Sequence, residues 1–322
     1  MAQVYITRRI PEKAIELLEA AGHEVTMSTK EGVLTREELL AALREKPYEA
    51  VISLLTDIID AEVFDAVPSA KIFANYAIGF NNIDLVAAKE RGVVVTNTPG
   101  SFANAVAEHA IGMMLALSAR LAEGDRYMRA GQYVGWEPML LLGMDVRGKT
   151  LGLVGAGHIG ARMAEIAHYG FGMRIVYTDV AEIPALHTTL GATYVATVEE
   201  LLPQADVVSL HVPLNEGTRH LLDETRLRLL KKTAYVVNTA RGPVIDEEAL
   251  VRALQEGRVA GAALDVFERE PALAPGLREL ENVLLTPHIA SATMDARLEM
   301  AEIATANVIA VLKGEAPLNP AG

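Results

Sequence analysis

Three side chains suggest chemistry by their type and their placement. The run AYVVNTARG delivers Arg241 to the carboxyl end of an apolar stretch. AALDVFEREP places Asp265, Glu268 and Glu270 after a second such stretch, and LLTPHIAS places His288 after a third. A guanidinium grips a carboxylate through two parallel N–H donors and stays charged at any ordinary pH. An imidazole titrates where it can give or take a proton near neutrality. A carboxylate beside the ring orients it and favours its charged form, at about 1.4 kcal/mol per pKa unit. Together these groups could serve hydride reduction of a 2-keto acid, which needs a cation for the acid group and carbonyl and a proton donor for the forming alkoxide. Taken singly, each has a plainer reading: a surface cation, a turn histidine or, as for Glu268, a solvated carboxylate. A dinucleotide site in the same chain gives the set its meaning.

TLGLVGAGHIGARMAEIA supplies that site, with Gly155, Gly157 and Gly160 spelling GxGxxG between a strand pattern and an amphipathic helix pattern. The first glycine permits the tight turn, the second lets backbone approach a pyrophosphate, and the third allows close packing of helix on strand. The helix N-terminus presents unpaired N–H groups to the phosphates. Asp179 ends the next apolar run, MRIVYTD, 19 residues after Gly160. A carboxylate there accepts from both ribose hydroxyls and repels a 2′-phosphate, so NAD is expected rather than NADP. The strand end of DVVSLHVP adds His211 and Pro213 to the same rim.

The elements that must position these residues alternate between strand and helix, which predicts parallel sheets built from βαβ units. QVYIT, EVTMS, AVISLL, KIFANYA and VVVTN make a first five-strand series ending near Pro99–Gly100. Pro11 opens its first helix, and Thr35 with Glu38 forms a capping box for the second. A single long helical stretch is expected over Ser101–Met128. A second series then runs through LGLVG, MRIVYTD, ATYVA, DVVSLHV, TAYVVNTA, VAGAALDVF and NVLLTPH, and a last helix over about Ala292–Lys313 leaves this domain. The charge run Asp246–Glu247–Glu248 is read as capping the helix EALVRALQEG.

A chain of 322 residues, 51% hydrophobic, can bury two cores. Its net charge of −13 argues against nucleic acid or an anionic membrane as partner. There is no cysteine, so thiolate zinc sites and cysteine nucleophiles are excluded. None of the eight histidines forms a metal-type pair, and no metal is expected. His109 lies on an apolar helix and reads as a core or interface histidine; Met113, Met114 and Met128 read as packing. The N-terminus lacks the pattern of a signal peptide and no apolar run is long enough for a membrane span, which points to a soluble cytoplasmic protein.

Taken together, GLVGAGHIG with Asp179, ADVVSLHVPLNEGTRHLLD, LKKTAYVVNTARGPVIDEEAL, AALDVFEREP and TPHIASA resemble the D-isomer-specific 2-hydroxyacid dehydrogenases. Within that family, SLLTDIIDAEVFDAVPSAKIFANYAIGFNNIDL and RGVVVTNTPG look most like glyoxylate and hydroxypyruvate reductases. The resemblance implies an α/β fold of two Rossmann-like doubly wound parallel-sheet domains. A substrate domain (1–99 and 289–322) would have an NAD-binding domain (100–288) inserted in it. It implies Arg241, Glu270 and His288 as catalytic residues, with Arg241 anchoring substrate, Glu270 pairing with His288, and His288 donating the proton. Leu55, Ile78 and Gly79 would join Arg241 and His288 around the substrate, with backbone N–H groups of Ile78 and Gly79 on its carboxylate. Cofactor contacts would come from Gly155, Gly157, His158, Ile159, Gly160, Asp179, His211, Pro213, Thr218, Thr239, Ala240, Arg241, Asp265 and His288. The implied activity is NADH-dependent reduction of glyoxylate or hydroxypyruvate to a D-2-hydroxy acid by a homodimer. The alternative is an NAD(H)-sensing regulatory protein of the same fold.

Overall fold

The computed structural model describes residues 1–100 and 103–321. The chain divides into two compact units, Met1–Phe102 with Ala292–Gly322, and Ala103–Ser291.

The first unit holds a parallel sheet of five strands: β1 (Gln3–Ile6), β2 (Glu24–Met27), β3 (Ala50–Ser53), β4 (Ile72–Asn75) and β5 (Val94–Thr96), in the order β2-β1-β3-β4-β5. β3 and β4 are buried at every position, as the continuous apolar runs of a sheet covered on both faces require. The expected capping box is present: Thr35 accepts from the Glu38 N–H while the Glu38 carboxylate accepts from the Thr35 N–H. Asp60 and Asp84 cap the helices Ala61–Ala66 and Leu85–Glu90 through their side-chain carboxylates. The final helix, Met294–Leu312, packs on Lys13–Ala20 and on β4.

The second unit holds seven parallel strands: β6 (Thr150–Val154), β7 (Arg174–Thr178), β8 (Thr193–Tyr194), β9 (Val207–Leu210), β10 (Tyr235–Asn238), β11 (Gly261–Leu264) and β12 (Val283–Leu285). Their order is β12-β11-β10-β9-β6-β7-β8. Strand order reverses between β6 and β9, which makes the carboxyl ends of those strands the ligand-binding crevice of a doubly wound sheet. The expected strand ATYVA contracts to two residues, because at the sheet edge it has β7 alone as a partner.

The long helix expected over Ser101–Met128 is two helices, Ala103–Ser118 and Leu121–Arg129, meeting at 60°; Ser101 lies outside the described residues. The break falls at Arg120, whose φ of 54° is left-handed. Its guanidinium holds Glu123 at 2.6 and 2.7 Å, and the carbonyl of Ser118 accepts from the Met144 N–H, so a bond from outside the helix replaces one within it. Among the described residues no single helix is long and apolar enough to cross a membrane.

Candidate active site

The dinucleotide motif folds as its spacing predicts. β6 ends at Val154, Gly155 turns with φ +89°, and the helix His158–Glu165 starts after Gly157, which provides no side-chain cap. The first-turn N–H groups, those of His158, Ile159 and Gly160, are therefore left for a ligand. A Cβ at Gly160 would stand 2.3 Å from the Gly155 carbonyl oxygen, so only glycine lets the helix lie this close to the turn. Asp179 follows β7. Its carboxylate accepts from the N–H groups of Ala156 and Val180, both at 2.7 Å, and so braces the glycine turn from the next strand.

Other predicted cofactor residues follow the carboxyl ends of β9 and β10 in the same sheet. His211 follows β9 and turns its Nε2 inward to Ser209 Oγ at 2.9 Å and Met163 Sδ at 3.2 Å; burial pushes its pKa down to about 4, so the ring is neutral. Thr218 donates to the Pro213 carbonyl at 2.6 Å and closes the loop after β9. Thr239 and Ala240 follow β10. The Thr239 hydroxyl is buried and has no partner among the described residues. A buried orphan hydroxyl at the carboxyl end of a strand, in the same sheet as the glycine turn, fits a polar ligand such as a dinucleotide.

Arg241 is held at both ends: its backbone carbonyl accepts from Asn238 Nδ2 at 3.0 Å, and its side-chain Nη1 donates to the Ala240 carbonyl at 2.6 Å. Burial draws its pKa down, and the charge of Glu270 opposes that. The next residue, Gly242, lies so close to the Phe267–Glu268 backbone that a Cβ would stand 1.9 Å from the Phe267 carbonyl. The segment carrying Arg241 is thereby pressed against the segment carrying Glu270.

Glu270 accepts from the Phe267 N–H at 3.0 Å and faces His288 Nδ1 at 3.0 Å. Burial raises its pKa, but the His288 hydrogen bond and charge, with help from Arg241, hold it below the ordinary range. An ionised carboxylate only accepts, so Nδ1 is the donor and Nε2 is the nitrogen left for proton transfer. His288 has a left-handed φ of 55°. Asp265 fastens it on both sides: its carbonyl accepts from the His288 N–H at 2.9 Å, and its carboxylate accepts from the N–H groups of Ile289 and Ala290, each at 2.8 Å. The Thr286 hydroxyl adds a bond at 2.6 Å. The Asp265 side chain is thus engaged with the backbone around His288.

Two expectations need correction. Glu268 is not a solvated carboxylate: it faces His220 Nε2 at 2.7 Å and accepts from the Glu247 N–H at 3.3 Å. Of the run at 246–248, Asp246 caps the helix, but Glu247 turns inward and accepts from the N–H groups of Glu268 and Ala274, both at 2.7 Å. It fastens both ends of the loop that bears Glu270. Its sequence signal is indistinguishable from that of a first-turn acid.

In the first unit, half-buried Leu55 follows β3, and Ile78 and Gly79 follow β4. Asn75 and Asn82 tie these two strand ends together: Asn82 Nδ2 donates to the carbonyls of Leu54 and Asp57, and Asn75 Nδ2 donates to Gly79. Among the described residues no group of three or more His, Asp or Glu could hold a metal ion.

Residues 111–290 match the family model described as D-isomer specific 2-hydroxyacid dehydrogenase, NAD binding domain. A glyoxylate reductase of Thermofilum pendens is 48% identical over 98% of this chain and 93% of its own length. The solved TT0316 protein of Thermus thermophilus is 43% identical, with a TM-score of 0.92 covering 99% of this chain and all of that one. An NADPH-dependent glyoxylate/hydroxypyruvate reductase of Sinorhizobium meliloti, solved with NADP and malonate, is 30% identical, with a TM-score of 0.85 over all of this chain and 97% of that one.

Proposed function

The chain belongs to the D-isomer specific 2-hydroxyacid dehydrogenase family, and from that premise we propose that it reduces glyoxylate and hydroxypyruvate to the D-2-hydroxy acids with NADH. Enzymes of this family use a nicotinamide dinucleotide, which when bound supplies the hydride to the carbonyl carbon. The preference for NADH rests on Asp179, a carboxylate at the end of β7 that would repel a 2′-phosphate.

In this reading Arg241 binds the substrate carboxylate and draws charge onto the carbonyl oxygen. His288 gives its Nε2 proton to that oxygen as it becomes a hydroxyl. Glu270 holds Nδ1 and stabilises the imidazolium until the proton leaves. Asp265 and Glu247 act through the backbone that carries His288 and Glu270. In the first unit, the N–H groups of Ile78 and Gly79 would bind the substrate carboxylate. The observation that carries the proposal is the 3.0 Å contact between His288 Nδ1 and the ionised Glu270, with the charge of Arg241 close enough to be felt by Glu270.

The test is loss of NADH or NADPH absorbance with each keto acid, in the unaltered protein and in His288→Ala. His288→Ala should lower kcat by about 10²- to 10⁴-fold and leave the NADH dissociation constant within about threefold. Absence of turnover with every 2-keto acid, despite tight dinucleotide binding, refutes the proposal; faster turnover with NADPH refutes its cofactor assignment alone.

A further inference from the structure

The turn after β4 has an unusual pattern of carbonyl contacts. Three consecutive carbonyls are held: Ala77 O accepts from the Thr98 N–H at 2.9 Å, Ile78 O from Asn97 Nδ2 at 2.8 Å, and Gly79 O from Asn75 Nδ2 at 2.8 Å. A planar trans peptide carries its N–H opposite its C=O. Each held carbonyl therefore turns the next residue's N–H away from its holder. The N–H groups so directed are those of Ile78, Gly79 and Phe80, and none has an acceptor among the described residues. Successive outward N–H groups form a concavity for an anion.

We propose that Asn97 and Asn75 are positioning residues for the substrate's carboxylate, and that Phe80 adds a third N–H to the receptor they aim. This rests on the reading of the loop as the carboxylate site and deepens it. Asn97 is well placed for the task, since its own N–H donates to the Asn319 carbonyl and it follows β5 directly. Its side chain is half-buried, so it can be replaced without opening the core. Asn75 is fully buried, with Ser53 and Asn82 on its carbonyl oxygen, both at 3.3 Å. Without the Asn97 amide the Ile78–Gly79 peptide is free to rotate, and the Gly79 N–H loses its aim. The carboxylate then binds less tightly, while groups that transfer hydride and proton are unchanged.

The experiment compares the unaltered enzyme with Asn97→Ala, Asn97→Asp and Asn97→Gln, each saturated with dinucleotide. Alanine and aspartate both lack the N–H donor and should raise the glyoxylate KM about tenfold, with kcat and the dinucleotide dissociation constant within about threefold. Glutamine keeps the donor and should recover part of the loss. In parallel, oxamate, a carboxylate that cannot be reduced, should shift the amide resonances of Ile78, Gly79 and Phe80 in the unaltered protein, and shift Gly79 less in Asn97→Ala. A KM within about twofold in Asn97→Ala, or equal losses of keto acid and dinucleotide binding, overturns the assignment. So does an unmoved Phe80 resonance, for the third donor. Because the oxamate titration needs no turnover, it distinguishes failure of this receptor from failure of the proposed reaction.

Discussion

Replacing His211 by glutamine, and following stability against pH, tests quantitatively how the second unit is built around its cofactor crevice. His211 Nε2 faces Ser209 and Met163, and burial pushes the ring's pKa down to about 4. In the unfolded chain the same ring takes up its proton near pH 6.5. A depressed histidine contributes its full stability above the unfolded pKa and loses it as pH falls toward the folded one. The gap of about 2.5 pKa units is worth about 3 kcal/mol at full titration, and about 2 kcal/mol of that is lost between about pH 7 and about pH 5. The residue keeps some exposed surface, so screening by water makes these upper values. Glutamine preserves an N–H donor for Ser209 but cannot titrate. Urea unfolding of the unaltered protein and of His211→Gln, each at the two pH values, isolates the contribution, because the other seven histidines cancel in the difference. The expected result is a variant that gains up to about 2 kcal/mol relative to the unaltered protein on acidification. A double difference below about 0.5 kcal/mol, or a His211 ring resonance that titrates near about pH 6.5, would overturn this account.

Two further perturbations test the packing that aims the site. Gly160→Ala drives a methyl to 2.3 Å from the Gly155 carbonyl oxygen, so the helix must move off the turn; calorimetry should show NADH affinity reduced at least about a hundredfold with the far-ultraviolet spectrum retained. Glu247→Ala removes the acceptor of the half-buried N–H groups of Glu268 and Ala274 and should cost about 2–4 kcal/mol in urea unfolding, with Glu247→Gln restoring part; an unaltered midpoint would show that those amides find water instead.

Much of the fold is legible in short stretches of sequence because its causes are local. Alternating strand and helix patterns are enough for an α/β protein of parallel sheets, since a chain needs a long crossover, usually a helix, to return to a parallel strand. The Thr35–Glu38 capping box spans four residues, and both of its bonds form. The helix break at Arg120 was not legible. Arg120 is an ordinary helix former, and the bend depends on Glu123 and on Met144, which reaches Ser118 from far along the chain. The inward turn of Glu247 is of the same kind: its hydrogen-bond donors lie 21 and 27 residues away.

Residue type and short-range periodicity settle which chemical groups this protein possesses and which strand ends carry them: the glycine turn, Asp179, Arg241, Glu270 and His288. How those groups are aimed was settled only by the three-dimensional fold. The Nδ1 of His288 is committed to Glu270, the Asp265 carboxylate to the backbone beyond His288, and the amides of Asn75 and Asn97 to the carbonyls after β4. A hydrogen bond between residues distant in sequence has no local signature. It forms when the fold brings donor and acceptor to each other, and it matters most where burial denies both groups water.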